Sequence, residues 1–118
     1  MKIIVTGGAG FIGANLTRKL KAEHSVTVVD DLSRGSASSL PEGVSLVEQD
    51  ILATEALTDA VRGGDVIVHL AAFGSVVDSI VDPMANFEIN ARGTLSVLEA
   101  ARRAGVSKLV FASTGGAI

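Results

Sequence analysis

The stretch Thr6-Gly7-Gly8-Ala9-Gly10-Phe11-Ile12-Gly13 constrains this chain more than any other. It follows a short apolar run, Ile3-Ile4-Val5, and opens a segment with helical apolar spacing over residues 10–22, in which Phe11, Leu16 and Leu20 are expected to face inward. Gly8, Gly10 and Gly13 keep the G-x-G-x-x-G spacing, and Asp30 closes the next apolar run, Val26-Thr27-Val28-Val29. Strand, glycine turn, helix, second strand and terminal acid together make the dinucleotide-binding fingerprint, which a glycine-rich loop outside that context would not.

Glycine suits the turn because a phosphate approaches a backbone closely only where no Cβ intervenes, and because glycine accepts positive φ. Gly7 and Gly8 are expected to make the tight turn, Gly10 to admit the pyrophosphate, and Gly13 to let the helix sit close to the sheet. The helix start then offers free N–H groups and the positive end of its dipole to the anion. Asp30 sets the cofactor. A carboxylate there accepts hydrogen bonds from the adenosine ribose and repels a 2′-phosphate, so NAD is expected over NADP. Arg34, four residues on, could meet such a phosphate and is read as a loop arginine near the adenosine. Asp31 reads first as a plain solvated turn residue.

With 118 residues the chain has room for one domain, residues 1–118, near the small end for such a sheet. Its 47% hydrophobic and 19% charged residues describe a globular core. A net charge of −3 leaves no basic footprint for nucleic acid. The absence of cysteine removes disulfides and thiolate metal sites and fits a reducing compartment. No cluster of His, Asp and Glu has metal-ligand spacing, so no metal is expected. No apolar run is long enough to span a membrane, and the chain starts on a strand without a leader pattern. The expectation is a soluble cytoplasmic protein.

Apolar runs alternate with helical patterns along the chain, the mark of a doubly wound α/β fold of the Rossmann type. Strands are expected at 2–6, 25–30, 44–48, 65–70 and 108–112, with a loop at 31–43 that could hold one helical turn. A short helix is expected at 54–62, capped by Ala53 or Thr54, and a long one from Pro83 to Ala104, stopped by Gly105. Phe87, Ala91, Leu95, Leu98 and Ala101 make a continuous apolar stripe along it. Right-handed crossovers put the strands in the order 3-2-1-4-5. The chain stops at Ala117-Ile118, directly after its fifth strand, which leaves an open apolar edge and suggests a truncated, C-terminally incomplete domain.

Six motifs follow one another: the glycine turn, Asp30-Asp31-Leu32, Asp50-Ile51, His69-Leu70-Ala71-Ala72, Asn90-Ala91-Arg92-Gly93-Thr94 and Phe111-Ala112-Ser113-Thr114-Gly115-Gly116-Ala117-Ile118. In this order and spacing the chain resembles the N-terminal part of the extended short-chain dehydrogenase/reductases. Within them it is most similar to the NAD-dependent nucleotide-sugar epimerases and dehydratases, the UDP-glucose 4-epimerases above all. The resemblance implies that Gly7, Gly10, Phe11, Ile12 and Gly13 meet the cofactor, and that Asp30, Asp31, Leu32 and Ser33 surround its adenosine. It implies that Asp50 accepts a hydrogen bond from the adenine amino group while Ile51 packs on the ring; helix capping by Asp50 is the other reading. Leu70, Ala71 and Ala72 would run beside ribose and diphosphate, or simply end a packed strand. Asn90 would hold cofactor and local backbone, or be a surface amide. Gly93, costly inside a helix by roughly 1 kcal/mol, points to close packing. His69 is read as a hydrogen-bonded structural histidine and His24 as exposed.

The chemistry implied by the resemblance needs a Tyr-x-x-x-Lys pair beside a serine or threonine after the fifth strand. The tyrosine takes a proton from a sugar hydroxyl while hydride passes to NAD, and an epimerase returns it to the other face of the keto sugar. Thr114, with Ser113 second, stands where the hydroxyl is expected; a Ser-Thr pair that merely ends a strand is the other reading. The chain contains no tyrosine. The 118 residues alone are therefore expected to bind NAD weakly and turn nothing over. Expected partners are a nucleotide-sugar substrate, a UDP-hexose, and in the full-length protein a second copy in a homodimer. Dehydratase or reductase activity within the same family is the alternative, and a non-catalytic NAD-sensing or scaffold module is the rival of another class.

Overall fold

A five-residue apolar strand, β1 (Lys2–Thr6), forms the centre of the sheet in a computed structural model that describes residues 1–73 and 76–113. Its β-branched side chains suit a strand packed on both faces. Strands β2 (Ser25–Asp30), β3 (Ser45–Glu48), β4 (Val66–His69) and β5 (Lys108–Phe111) all run parallel to it in the order β3-β2-β1-β4-β5. Ile4 lies opposite Thr27 on one side and Ile67 on the other. The strand order reverses beside β1, so the carboxyl ends of β1, β2 and β4 open on a switch point.

Helix α1 (Phe11–Leu20) covers one face, where Leu16 and Leu20 pack against Ile3, Val5, Val26 and Val28. Helices α2 (Thr54–Val61) and α5 (Gly93–Ala104) cover the other, where Leu57, Val61, Val97 and Ala100 close over Ile4, Val29 and Ile67. Ala53 is the N-cap of α2. A single 3-10 turn, Ala37–Ser39, interrupts the loop after β2.

Three expectations change. Phe11, placed inward by periodicity, is 87% exposed, because it borders a cleft and not the core. A short helix, α3 (Val76–Val81), fills a stretch that carries no helix signal. The long helix is three stretches: α4 (Pro83–Phe87), a wider turn over Glu88–Arg92, and α5. Asp82 starts it by accepting the Ala85 N–H at 3.1 Å, with Pro83 in the first turn. The Gly93 N–H then reaches back five residues to the Glu88 carbonyl. Gly105, at φ +75°, ends α5 with its left-handed cap.

The apolar stripe faces mostly outward. Phe87, Leu95 and Leu98 are exposed, and only Ala101 of the five is buried. The buried face is Gly93, Ser96, Val97, Ala100 and Ala101, small enough for α5 to lie tightly on α2. At Gly93 a Cβ would stand 2.6 Å from the Ile51 Cδ1, which is the close packing its position implied. The ends of the other elements fall within one or two residues of expectation.

Candidate dinucleotide site

Two adjoining clefts open at the carboxyl end of the sheet, and Gly7, Gly10 and Leu70 to Phe73 line both. They form one groove across the switch point. At one end stand Asp30, Asp31, Ser33, Asp50 and Ile51; at the other, Phe11, Ile12, Gly13, Asn90, Phe111 and Ser113. Leu32 lines neither cleft, Ser113 is exposed, and Thr114 lies outside the described residues.

The glycines divide the work. Gly7 has φ +70°, and a Cβ there would meet the Ala71 nitrogen at 2.6 Å. A Cβ on Gly8 would strike Val28, and one on Gly13 would strike the backbone of Gly7 and Gly8. Gly10 differs. Its Cβ would meet no protein atom nearer than 3.5 Å, so the space it leaves belongs to the groove. Gly10 is also the N-cap of α1, without a side-chain hydrogen bond and with no acid in the first turn. The first N–H donors of the helix and its positive end are left for an anion. A bare cradle at an uncapped ten-residue helix fits a pyrophosphate.

Asp30 closes the turn from the far side. Its carboxylate accepts the Ala9 N–H at 3.0 Å and the Leu32 N–H at 2.8 Å, tying the glycine loop to the loop after β2. Leu32 sits at φ +63°, a left-handed conformation that this bond holds. Asp31 accepts both the N–H and the hydroxyl of Ser33, as a turn residue does, and still faces the groove. Asp50 accepts the Leu52 N–H at 2.9 Å and caps no helix, which leaves its outer lone pairs toward the cleft.

Behind the groove runs a chain of buried hydrogen bonds. The Thr6 hydroxyl oxygen accepts the N–H groups of Leu70 and Ala71 at 3.2 and 3.3 Å. Its own proton therefore goes to Nδ1 of His69, 2.6 Å away. Nε2 of His69 then donates to the Thr94 hydroxyl at 3.0 Å, which donates to the Asn90 carbonyl at 2.6 Å. The Asn90 side-chain oxygen accepts the Phe73 N–H at 2.7 Å and so fixes the wall between the clefts. This pattern needs a neutral imidazole with its proton on Nε2. Burial agrees, pushing the His69 pKa below 6.5. Among the described residues no group of His, Asp and Glu could hold a metal ion.

Sequence reasoning missed Gly35, Phe73 and the bonds that link Thr6 to Thr94 through His69. A Cβ on Gly35 would strike the Ala9 carbonyl, so the two loops touch there. Its only signal was a second glycine soon after Asp30.

Fold and groove define a dinucleotide-binding domain of the doubly wound class. The model of the NAD dependent epimerase/dehydratase family matches residues 3–118, and the chain belongs to that family. It is 39% identical over 117 residues to a UDP-glucose 4-epimerase of Streptomyces lividans, covering 96% of this chain and 36% of that protein. It is 38% identical over 113 residues to a dTDP-glucose 4,6-dehydratase of Mycobacterium tuberculosis, covering 90% of this chain and 34% of the relative. The crystal structure of a Thermus thermophilus UDP-glucose 4-epimerase in complex with NAD superposes with a TM-score of 0.92 at 43% identity, over 98% of this chain and 38% of that one. The chain thus spans little more than a third of the length of these proteins.

Proposed function

We propose that this chain is the NAD-binding part of a nucleotide-sugar epimerase acting on a UDP-hexose. The observation that carries the reading is the single groove running from Asp30 and Asp50, across the unfilled space at Gly10, to Ser113. Its chemistry and its position suit a dinucleotide laid across a switch point. Asp30 would accept the adenosine ribose hydroxyls, with Asp31, Leu32 and Ser33 shaping the loop around them. Asp50 would take the adenine amino group against Ile51. Gly7, Gly10, Gly13 and the start of α1 would hold the pyrophosphate, beside Leu70, Ala71 and Ala72. Phe11, Ile12 and Asn90 would border the nicotinamide end.

NAD bound there supplies a hydride acceptor for a sugar carbon. Ser113, two residues beyond β5, and Thr114, next in sequence, would hold the sugar hydroxyl that loses its proton. The resemblance implies a tyrosine as the base that takes that proton, and the 118 residues contain none. They are accordingly read as inactive alone. The match to a dTDP-glucose 4,6-dehydratase favours dehydration as the second reading, since both reactions begin with the same oxidation of the sugar. A cytoplasmic location accords with the absence of cysteine, and among the described residues no helix is long and apolar enough to cross a membrane. The exposed Phe87, Leu95 and Leu98 offer a face for a homodimer.

Calorimetric titration with NAD and NADP tests the site. NAD is expected to bind and NADP to bind at least about tenfold more weakly, as a carboxylate facing a 2′-phosphate requires. Absence of NAD binding, or a preference for NADP, would overturn the reading. UDP-glucose with NAD should yield no NADH and no UDP-galactose on the 118-residue chain.

A further inference from the structure

Arg34 is the sole cation among the described residues lining the adenosine end of the groove, beside the carboxylates of Asp30, Asp31 and Asp50. It lies four residues beyond Asp30, where a guanidinium can answer a 2′-phosphate. The structure commits it elsewhere. Its Nη2 is 3.1 Å from Oδ2 of Asp78, on α3 across the cleft, and its guanidinium carbon is 5.2 Å from the centre of the Phe73 ring. Phe73 is itself anchored, since Asn90 accepts its N–H. The arginine is therefore drawn from the β2 side of the groove toward the wall that follows β4.

We propose that Asp78 is a specificity-determining residue: by holding Arg34 against Phe73 it keeps that cation from a 2′-phosphate and sharpens the choice of NAD. The inference rests on the dinucleotide reading of the groove. A 2′-phosphate entering beside Asp30 must compete with the Asp78 carboxylate for the same planar fork of N–H donors. With Asp78 neutral, the guanidinium is free to turn to the phosphate and offset the repulsion from Asp30. Asp30 still recognises the ribose hydroxyls, so the preference relaxes and does not invert. Both partners are about half exposed, at 55% and 42%, which sets the size of the effect. Exposed pairs of this kind contribute up to about 1 kcal/mol, roughly a fivefold change in affinity.

The test is the ratio of NADP to NAD dissociation constants, measured by calorimetry at low ionic strength. Asp78→Asn is expected to lower the ratio about fivefold, and Asp78→Ser to do the same. In an Arg34→Ala background, Asp78→Asn should leave the ratio where Arg34→Ala alone puts it. Added salt should shrink the difference. An unchanged ratio in both Asp78 variants, with NAD still bound, overturns this inference and leaves the site standing. An equal fall in the Arg34→Ala background overturns it too, because mere loss of negative charge would then account for the effect. If neither dinucleotide binds, the dinucleotide reading falls and the inference with it.

Discussion

A methyl group added to Gly13 would lie 2.5 Å from the Gly7 carbonyl oxygen and from the Gly8 Cα, backbone atoms that cannot step aside. Gly13→Ala is therefore expected to cost about 1–3 kcal/mol, as overpacking does, seen as a lower melting temperature. Three residues earlier the same change has another meaning. Gly10 has φ −77°, which alanine adopts freely, and its Cβ would meet only the Gly7 carbonyl at ordinary van der Waals distance. The poorer N-cap and the stiffer unfolded chain roughly cancel, so Gly10→Ala should move stability by less than about 1 kcal/mol. Its cost falls on the ligand: NAD affinity should drop about tenfold or more, because the methyl occupies space the pyrophosphate needs. If Gly10→Ala unfolds the domain, or binds NAD as before, the space at Gly10 is not a ligand cradle. Spacing alone marked these glycines and Asp30, because their demands are local. It could not show that Asp30 bonds to Ala9, that Gly35 abuts the same residue, or that Leu32 turns left-handed. Those facts depend on two loops, distant along the chain, meeting in space.

His69 joins three elements that sequence shows only as separate runs: Thr6 on β1, its own β4, and Thr94 on α5. Its role as a bonded core residue was readable from a histidine ending an apolar strand; its partners were not, since threonines are common and carry no register. The clamp has a pH signature. Burial lowers the folded-state pKa below the unfolded value of 6.5, so the unfolded chain takes up the proton first as pH falls. The clamp's full contribution is present above about pH 6.5, and it declines by up to about 1.4 kcal/mol per pH unit below that, until the folded-state value is passed. Melting temperatures across roughly pH 7.5 to 5.5 should fall more steeply in the wild type than in His69→Gln, which cannot titrate. Parallel curves would show that His69 is not held neutral. Helix faces were harder to read. Hydrophobic periodicity selects the large side chains Phe87, Leu95 and Leu98, whereas α5 packs by its small ones, Gly93, Ser96 and Ala100, where close approach to α2 governs. Helix α3 escaped for a related reason: Val76-Val77-Asp78-Ser79-Ile80-Val81 is rich in β-branched residues and has no capping signal that separates it from a loop.

At the scale of the molecule, strand order was readable, because alternating strands and helices with right-handed crossovers leave few arrangements. What the pattern could not supply is the division of the apolar surface. One exposed set, Phe11, Ile12, Val76 and Phe111, rims the end of the groove that holds Ser113. Another, Leu95 and Leu98, lies on α5 and lines neither cleft. Exposed large apolar side chains gathered on one helix face mark a contact surface. The two sets should therefore respond differently to charge. Leu95→Glu with Leu98→Glu is expected to convert a dimeric full-length protein to monomers in sedimentation, since two carboxylates per copy would have to be desolvated in the interface. NAD affinity should stay within about twofold, because neither residue reaches the groove. Ile12→Glu should do the reverse, weakening NAD at the nicotinamide end through a carboxylate set beside the pyrophosphate, while the sedimentation profile is retained. If the α5 substitutions leave a dimer intact, subunits join elsewhere. If they weaken NAD binding as strongly as Ile12→Glu does, α5 acts on the groove through Gly93 and Ile51, and the two surfaces are one functional unit.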